Sequence, residues 1–155
     1  MTTPIQTPPR PKLSEHLILL ALETHHANKA DEWNFEDIAQ EYTDSMDGYD
    51  LMRSLEAACY WDGSRELIDE LDTVCYSIRR TVDQAIKDWV VAYRVRPSFA
   101  PGEEITYEGK QARIKDMDMP MARYAIQFHE PCSKLLPCTI GSDSALYVEY
   151  EEVEL

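Results

Sequence analysis

Apolar residues recur at Leu67, Leu71, Val74, Ile78, Val82, Ala85, Trp89 and Tyr93, in a mixture of three- and four-residue steps. That spacing keeps them on one face of a helix. No Gly or Pro interrupts the chain from Arg65 to Arg96, so roughly 30 residues at 1.5 Å rise predict a rod of about 45 Å. Ile68, Cys75, Ile86 and Val90 widen the stripe beyond a two-position coiled-coil seam. The pattern predicts the spine of a helical bundle. Part of the same seam, over residues 65–94, is also suited to pairing two copies of the chain.

Three shorter helices are predicted ahead of it. Ser14 can cap a helix that runs through Leu17, Ile18 and Leu22 to about Asn28. Asn34 followed three residues later by Asp37 resembles a capping box and opens a helix from Phe35 to about Met46. Asp47-Gly48 breaks that helix, and a third runs from about Asp50 to Tyr60 with Leu51, Leu55, Ala58 and Cys59 on one face. Asp62-Gly63 ends the third helix, and Ser64 caps the long one. The first dozen residues, MTTPIQTPPRPK, carry four prolines and read as an extended tail.

Pro97 stops the long helix, and the period of the pattern then falls to two. Ile105 and Tyr107 alternate with polar residues; Ala112 and Ile114 follow a Gly109-Lys110 turn. Ala122, Tyr124, Ile126 and Phe128 form the longest alternating run, and Leu146, Val148 and Tyr150 form the last. The expected fold class is therefore α+β: a tail over 1–13, an acidic four-helix region over 14–95, and a small antiparallel barrel or rolled sheet over 96–155. The order PGEEITYEGKQARIKDM, then ARYAIQF, then a loop, then ALYVEYEEVEL resembles SH3-like barrel modules. The resemblance covers the last third of the chain and implies a fold, with no particular ligand.

Charge changes the picture more than composition does. Fourteen acidic residues fall between Asp31 and Asp72, opposed only by Arg53 and Arg65, so this stretch carries −12 of the chain's formal −14. A localised acidic face steers basic partners and repels nucleic acid and anionic membrane surfaces. The longest apolar run, Leu17 to Leu22, is far too short to cross a membrane. The N-terminal residues lack the pattern of a secretory signal. Cys59 and Cys75 sit at helical spacing among apolar residues, where a reduced thiol acts as a small hydrophobe. A soluble, cytoplasmic protein with reduced cysteines is expected.

Four chemistries can be weighed against this background. FEDIAQEY, at 35–42, resembles the first helix of a helix-turn-helix unit, yet the helix after it offers Arg53 alone against Asp50 and Glu56. A recognition helix needs cations to offset phosphate charge, so direct DNA binding is not expected. His129-x2-Cys132-x5-Cys138 supplies three local metal-ligand candidates where structural zinc takes four, and His25-His26 lies far along the chain. Ser142 in GSDS precedes a strand rather than the helix of a nucleophile elbow, and nothing local would orient His129 toward a cysteine. The five glycines are too dispersed for a phosphate loop. No enzyme activity, metal or cofactor is expected.

The acids themselves form the candidate site. Asp37, Glu41 and Asp44 step by four and three, and Asp69 and Glu70 lie three and four residues after Glu66, so each set shares one helix face; Asp47, Asp50 and Asp62 lie beside them. B-DNA presents a charge about every 1.7 Å of axis, and such an array of carboxylates can occupy the same basic groove. In size and composition the chain resembles small acidic phage-encoded inhibitors of CRISPR and restriction systems. The function expected is thus a non-enzymatic inhibitor that mimics nucleic acid and blocks the basic groove of a nucleic-acid-binding partner. The alternative is a dimeric adaptor or assembly protein using the long helix and the SH3-like module. Trp33, Phe35, Tyr42, Tyr49, Tyr60 and Trp61 lie within or beside the acidic stretch as candidate aromatic anchors.

Overall fold

The computed structural model describes residues 6–129 and 145–153. Cys132, Cys138, Ser142 and the first five residues of the Pro-rich tail lie outside the described residues. The protein is α+β, with four α-helices followed by a four-stranded antiparallel sheet among the described residues. Its contacts divide it into two compact units, Met1–Ile86 and Lys87–Leu155.

The helices are α1 Glu15–His25, α2 Phe35–Glu41, α3 Gly48–Cys59 and α4 Arg65–Ala92, with a 3-10 turn at Ala27–Lys29, and the first unit takes in α4 as far as Ile86. Each start has a side-chain acceptor for an orphan backbone N–H. Ser14 accepts from Leu17, Asn34 from Glu36, Asp47 from Asp50 and Ser64 from Leu67. The capping box expected at Asn34 is replaced by a different arrangement, because the Asn34 amide donates to the Asp37 carboxylate at 3.1 Å. Helix α2 stops at Glu41, five residues before the expected Met46, and α3 starts two residues early at Gly48. The Asp47-Gly48 pair therefore opens α3 and does not close α2, which has already ended at Glu41.

Helix ends also depart from the glycine signals. Helix α3 finishes with Tyr60 in the left-handed region (φ 60°), three residues ahead of Gly63. A non-glycine residue there costs about 1–2 kcal/mol. Helix α4 ends in a Schellman arrangement, with Arg94 left-handed and the Val95 N–H bonded to the Val90 carbonyl at 3.0 Å.

The core of this unit draws on every helix. Ile18, Ala21 and Leu22 of α1 pack with Ile38 and Ala39 of α2 and with Leu51, Met52 and Leu55 of α3. They meet Leu71, Val74, Cys75 and Ile78 of α4, and Trp33 and Tyr42 complete the cluster. Each fully buried aliphatic side chain contributes roughly 1.5–3 kcal/mol. Leu71, Val74 and Ile78, part of the seam expected to be suited to pairing, are wholly enclosed within this core. Large apolar residues that α4 leaves exposed are Tyr76 and Val91.

Gly48 fixes how α3 meets α4. A Cβ at this position would lie 2.4 Å from the Ile68 carbonyl oxygen and 2.5 Å from the Asp72 nitrogen, so only glycine permits the approach. The Gly48 N–H donates to the Asp72 carboxylate at 2.6 Å across the same contact. Across another contact, the His26 ring and the Ser77 hydroxyl join the end of α1 to α4 at 3.0 Å.

In the second unit the strands run β1 Glu104–Tyr107, β2 Lys110–Asp118, β3 Arg123–Phe128 and β4 Leu146–Glu149, paired in that order as an antiparallel meander. Glu108 and Gly109, both with positive φ, form the two-residue hairpin turn. A bulge between Ile114 and Asp116 shifts the register, so Met117 rather than Asp116 continues the covered face. Ile105, Ala112, Ile114, Tyr124, Ile126 and Val148 form the core there. The Tyr124 hydroxyl accepts from both the Ser98 and Phe99 N–H groups and anchors the segment after Pro97. Among the described residues the sheet is open, with β1 and β4 at opposite edges, and the barrel closure expected from strand rhythm is not formed. Ala122, expected to begin the third strand, instead takes a left-handed conformation after the 3-10 turn Met119–Met121.

Two outcomes follow. Gly48→Ala loses about 1–3 kcal/mol in chemical denaturation, because the added methyl meets backbone rather than a flexible side chain. Burial pushes the Cys75 thiol up to about 11, with Asp72 and Asp47 adding to the shift and Arg79 opposing it. Iodoacetamide at pH 8 therefore leaves Cys75 unmodified in the native protein and labels it after denaturation, as peptide mass mapping will show.

Candidate functional site

A cleft of about 560 Å³ opens on the first unit, lined by Glu32, Trp33, Asn34, Trp61, Asp62, Ser64, Glu66, Leu67 and Glu70. Two local features build it. The residues between the 3-10 turn and α2 bring in Glu32 and Trp33, and the α3–α4 connection brings in Trp61 and Asp62 before the first turns of α4 add Glu66 and Glu70. Four carboxylates thus converge on a space bounded by two indoles and Leu67.

The indoles are held in place. Trp33 is 7% exposed, and its ring centroid lies 6.1 Å from that of Trp61, with the planes tilted by 44°. The Trp61 indole N–H donates to the Asp37 carboxylate at 2.9 Å, which fixes that ring's orientation. A cation, Lys29, adjoins the cleft. The Lys29 ammonium donates to Glu70 at 2.9 Å and Glu32 at 3.1 Å and sits 5.1 Å from the Trp33 ring centroid. Its pKa is raised, chiefly by the hydrogen bonds to Glu70 and Glu32.

The nine sequence-predicted acids separate into different environments. Asp62, Glu66 and Glu70 line the cleft together. Asp69 is exposed on α4, and Asp50 is exposed in the first turn of α3. The other four have local structural bonds. Asp37 holds Trp61 and Asn34, while Glu41 accepts from the Ser54 hydroxyl at 2.5 Å and joins α2 to α3. Asp44 accepts from the Ser45 N–H beside a left-handed Ser45, and Asp47 caps α3. Of the aromatic candidates, Trp33 and Trp61 line the cleft, Tyr42 belongs to the core, and Tyr49 and Tyr60 are exposed. Tyr60, next to Trp61 in the chain, is 91% exposed.

Sequence reasoning passed over Glu32 as a site residue and gave Lys29 no role. The available signal was the pairing of each tryptophan with an acid, Glu32-Trp33 and Trp61-Asp62. A smaller cleft of about 240 Å³ on the second unit is lined by Arg113, Lys115, Gln127, Phe128 and His129. Arg113 and His129 both contact the Glu104 carboxylate, and these bonds lower its pKa, so the Arg113 charge there is already paired. No cluster of His, Cys, Asp and Glu among the described residues is arranged to hold a metal ion, and no described helix is long and apolar enough to cross a membrane.

Asp37→Ala removes the acceptor for the Trp61 indole and the Asn34 amide together. A loss of about 1–3 kcal/mol is expected in chemical denaturation. A red shift of tryptophan emission in the native state is the accompanying sign that Trp61 has been released.

No family model, curated protein or solved structure matches the chain.

Proposed function

We propose that this protein is a non-enzymatic binding protein whose acidic cleft engages a basic surface on another protein, acting as an inhibitor that takes the place of nucleic acid in that partner's groove. The observation that carries the reading is the convergence of Glu32, Asp62, Glu66 and Glu70 around two fixed indoles. Carboxylates supply the charge that a phosphate-binding groove is built to meet, and rigid aromatic rings supply area that excludes water. Asp69 and Asp50, both exposed, extend the negative field beyond the cleft. The mode of action is competitive exclusion, which requires no cofactor or turnover.

Reversal of Asp62, Glu66 and Asp69 to Lys tests it cleanly, because none of these side chains bonds to another described residue. The triple variant keeps the far-UV circular dichroism and melting temperature of the parent and loses partner binding by roughly 100-fold or more. Parent-like binding by a folded triple variant overturns the proposal. The partner is identified by affinity capture from nuclease-treated lysate, repeated with excess duplex DNA or RNA. A nucleic-acid-binding protein displaced by the duplex supports mimicry, and partners indifferent to it count against mimicry. Binding also weakens as salt rises to 1 M, where the screening length falls to about 3 Å.

A further inference from the structure

We propose that the cleft receives an arginine side chain from a basic segment of a protein partner, seated beside Trp61, Asp62 and Glu66 while Lys29 fills the neighbouring position. The inference deepens the acidic-cleft reading and rests on it.

Lys29 shows what this wall binds. Its ammonium lies against the Trp33 ring and between two carboxylates, Glu32 and Glu70. The chain's own cation therefore meets an indole and two acids in one arrangement, which combines charge pairing with a cation–π contact. That arrangement accounts for only part of the cleft. Asp62 and Glu66 line the same space, and neither has a hydrogen bond or ion pair to any described residue. Trp61 stands with them, already oriented by Asp37. Lys29 thus bonds two of the four carboxylates, and the other two, Asp62 and Glu66, line the same cleft as the Trp61 indole.

The chemistry favours guanidinium over ammonium. A planar guanidinium can lie on the indole face and still direct its five N–H donors to separate carboxylates, whereas an ammonium is a compact, strongly hydrated point charge. A hydrated metal ion would gain little from Leu67 and the indoles, and the described acids are not grouped as metal ligands. The cleft volume, about 560 Å³, lies within the ordinary range of roughly 300–1,000 Å³ for small-ligand sites and leaves room for residues flanking the arginine.

The role of Lys29 gives the proposal a distinctive consequence. By neutralising Glu32 and Glu70, Lys29 weakens the field that an incoming cation meets. Its removal strengthens that field without touching Asp62, Glu66 or Trp61.

The test uses the whole chain with acetylated, amidated tetra-arginine and tetra-lysine peptides, followed by calorimetry and tryptophan emission at low and high salt. Tetra-arginine is expected to bind at least ~10-fold more tightly than tetra-lysine and to change tryptophan emission. Asp62→Asn with Glu66→Gln is expected to weaken it by ~10-fold or more, and Lys29→Gln to tighten it by ~3-fold, with melting temperatures confirming folded variants. Equal affinity for the two peptides, or binding untouched by the Asp62/Glu66 change, overturns the arginine site. If neither peptide binds while a captured partner is still displaced by duplex, the arginine site fails and nucleic-acid mimicry stands. If the cleft binds arginine while captured partners ignore the duplex, mimicry fails and the arginine site stands.

Discussion

The first unit depends on a contact that no other residue could make. Helix α3 begins at Gly48, whose missing side chain lets its backbone meet that of α4 at Ile68 and Asp72. Asp72 then accepts the Gly48 N–H at 2.6 Å, so a carboxylate on one helix satisfies an orphan donor at the start of another. Asp47 accepts the Asp50 N–H at the same helix start. Two acids are thus placed where the helix dipole and free N–H groups favour them. Hydrogen bonds to a charged acceptor contribute about 1.5–3 kcal/mol, well above the few tenths lost to each like-charge neighbour on a helix.

The same solution recurs through the acidic stretch. With only Arg53 and Arg65 inside it, its carboxylates are matched largely with neutral donors. Asp37 takes the Trp61 indole, Glu41 the Ser54 hydroxyl, and Asp44 the Ser45 N–H. The first two join α2 to the α3–α4 connection and to α3, and the third is local to the loop between α2 and α3. A segment of −12 can fold because part of its charge is used as hydrogen-bond acceptors between elements. The remaining acids, Asp62 and Glu66 above all, carry charge that the described structure does not answer, and they share a cleft with two indoles. On the proposed reading, folding and binding draw on different members of one acidic set.

Much of the fold was legible. The unbroken stripe from Leu67 through Trp89 gave α4, and Ser14, Asn34 and Ser64 marked three helix starts through the side chains that cap them. Alternation placed all four strands in order. Boundaries were less legible. Asp47-Gly48 reads as a break because Gly is a poor helix former, yet tertiary contact makes it the first turn of α3. Gly63 reads as a helix stop, but Tyr60 takes the left-handed position before the chain reaches it. The bulge after Ile114 left no mark in a pattern read as simple alternation. At the site, three of the nine expected acids came together, and Glu32 entered with Trp33 from a loop whose position spacing cannot give.

The sequence by itself determined the α+β order of elements, the caps that begin the helices and the concentration of charge, because each depends on neighbours along the chain. Only the tertiary structure decided which carboxylates bind other helices and which face a cleft. That division depends on which donor each oxygen meets through space: Asp37 and Glu66 are both acids near helix starts, but one meets an indole N–H and the other meets no donor among the described residues. The role of Lys29 was settled the same way, since its partners Glu70 and Trp33 are brought to it by packing, and the cleft exists only where those separate segments meet.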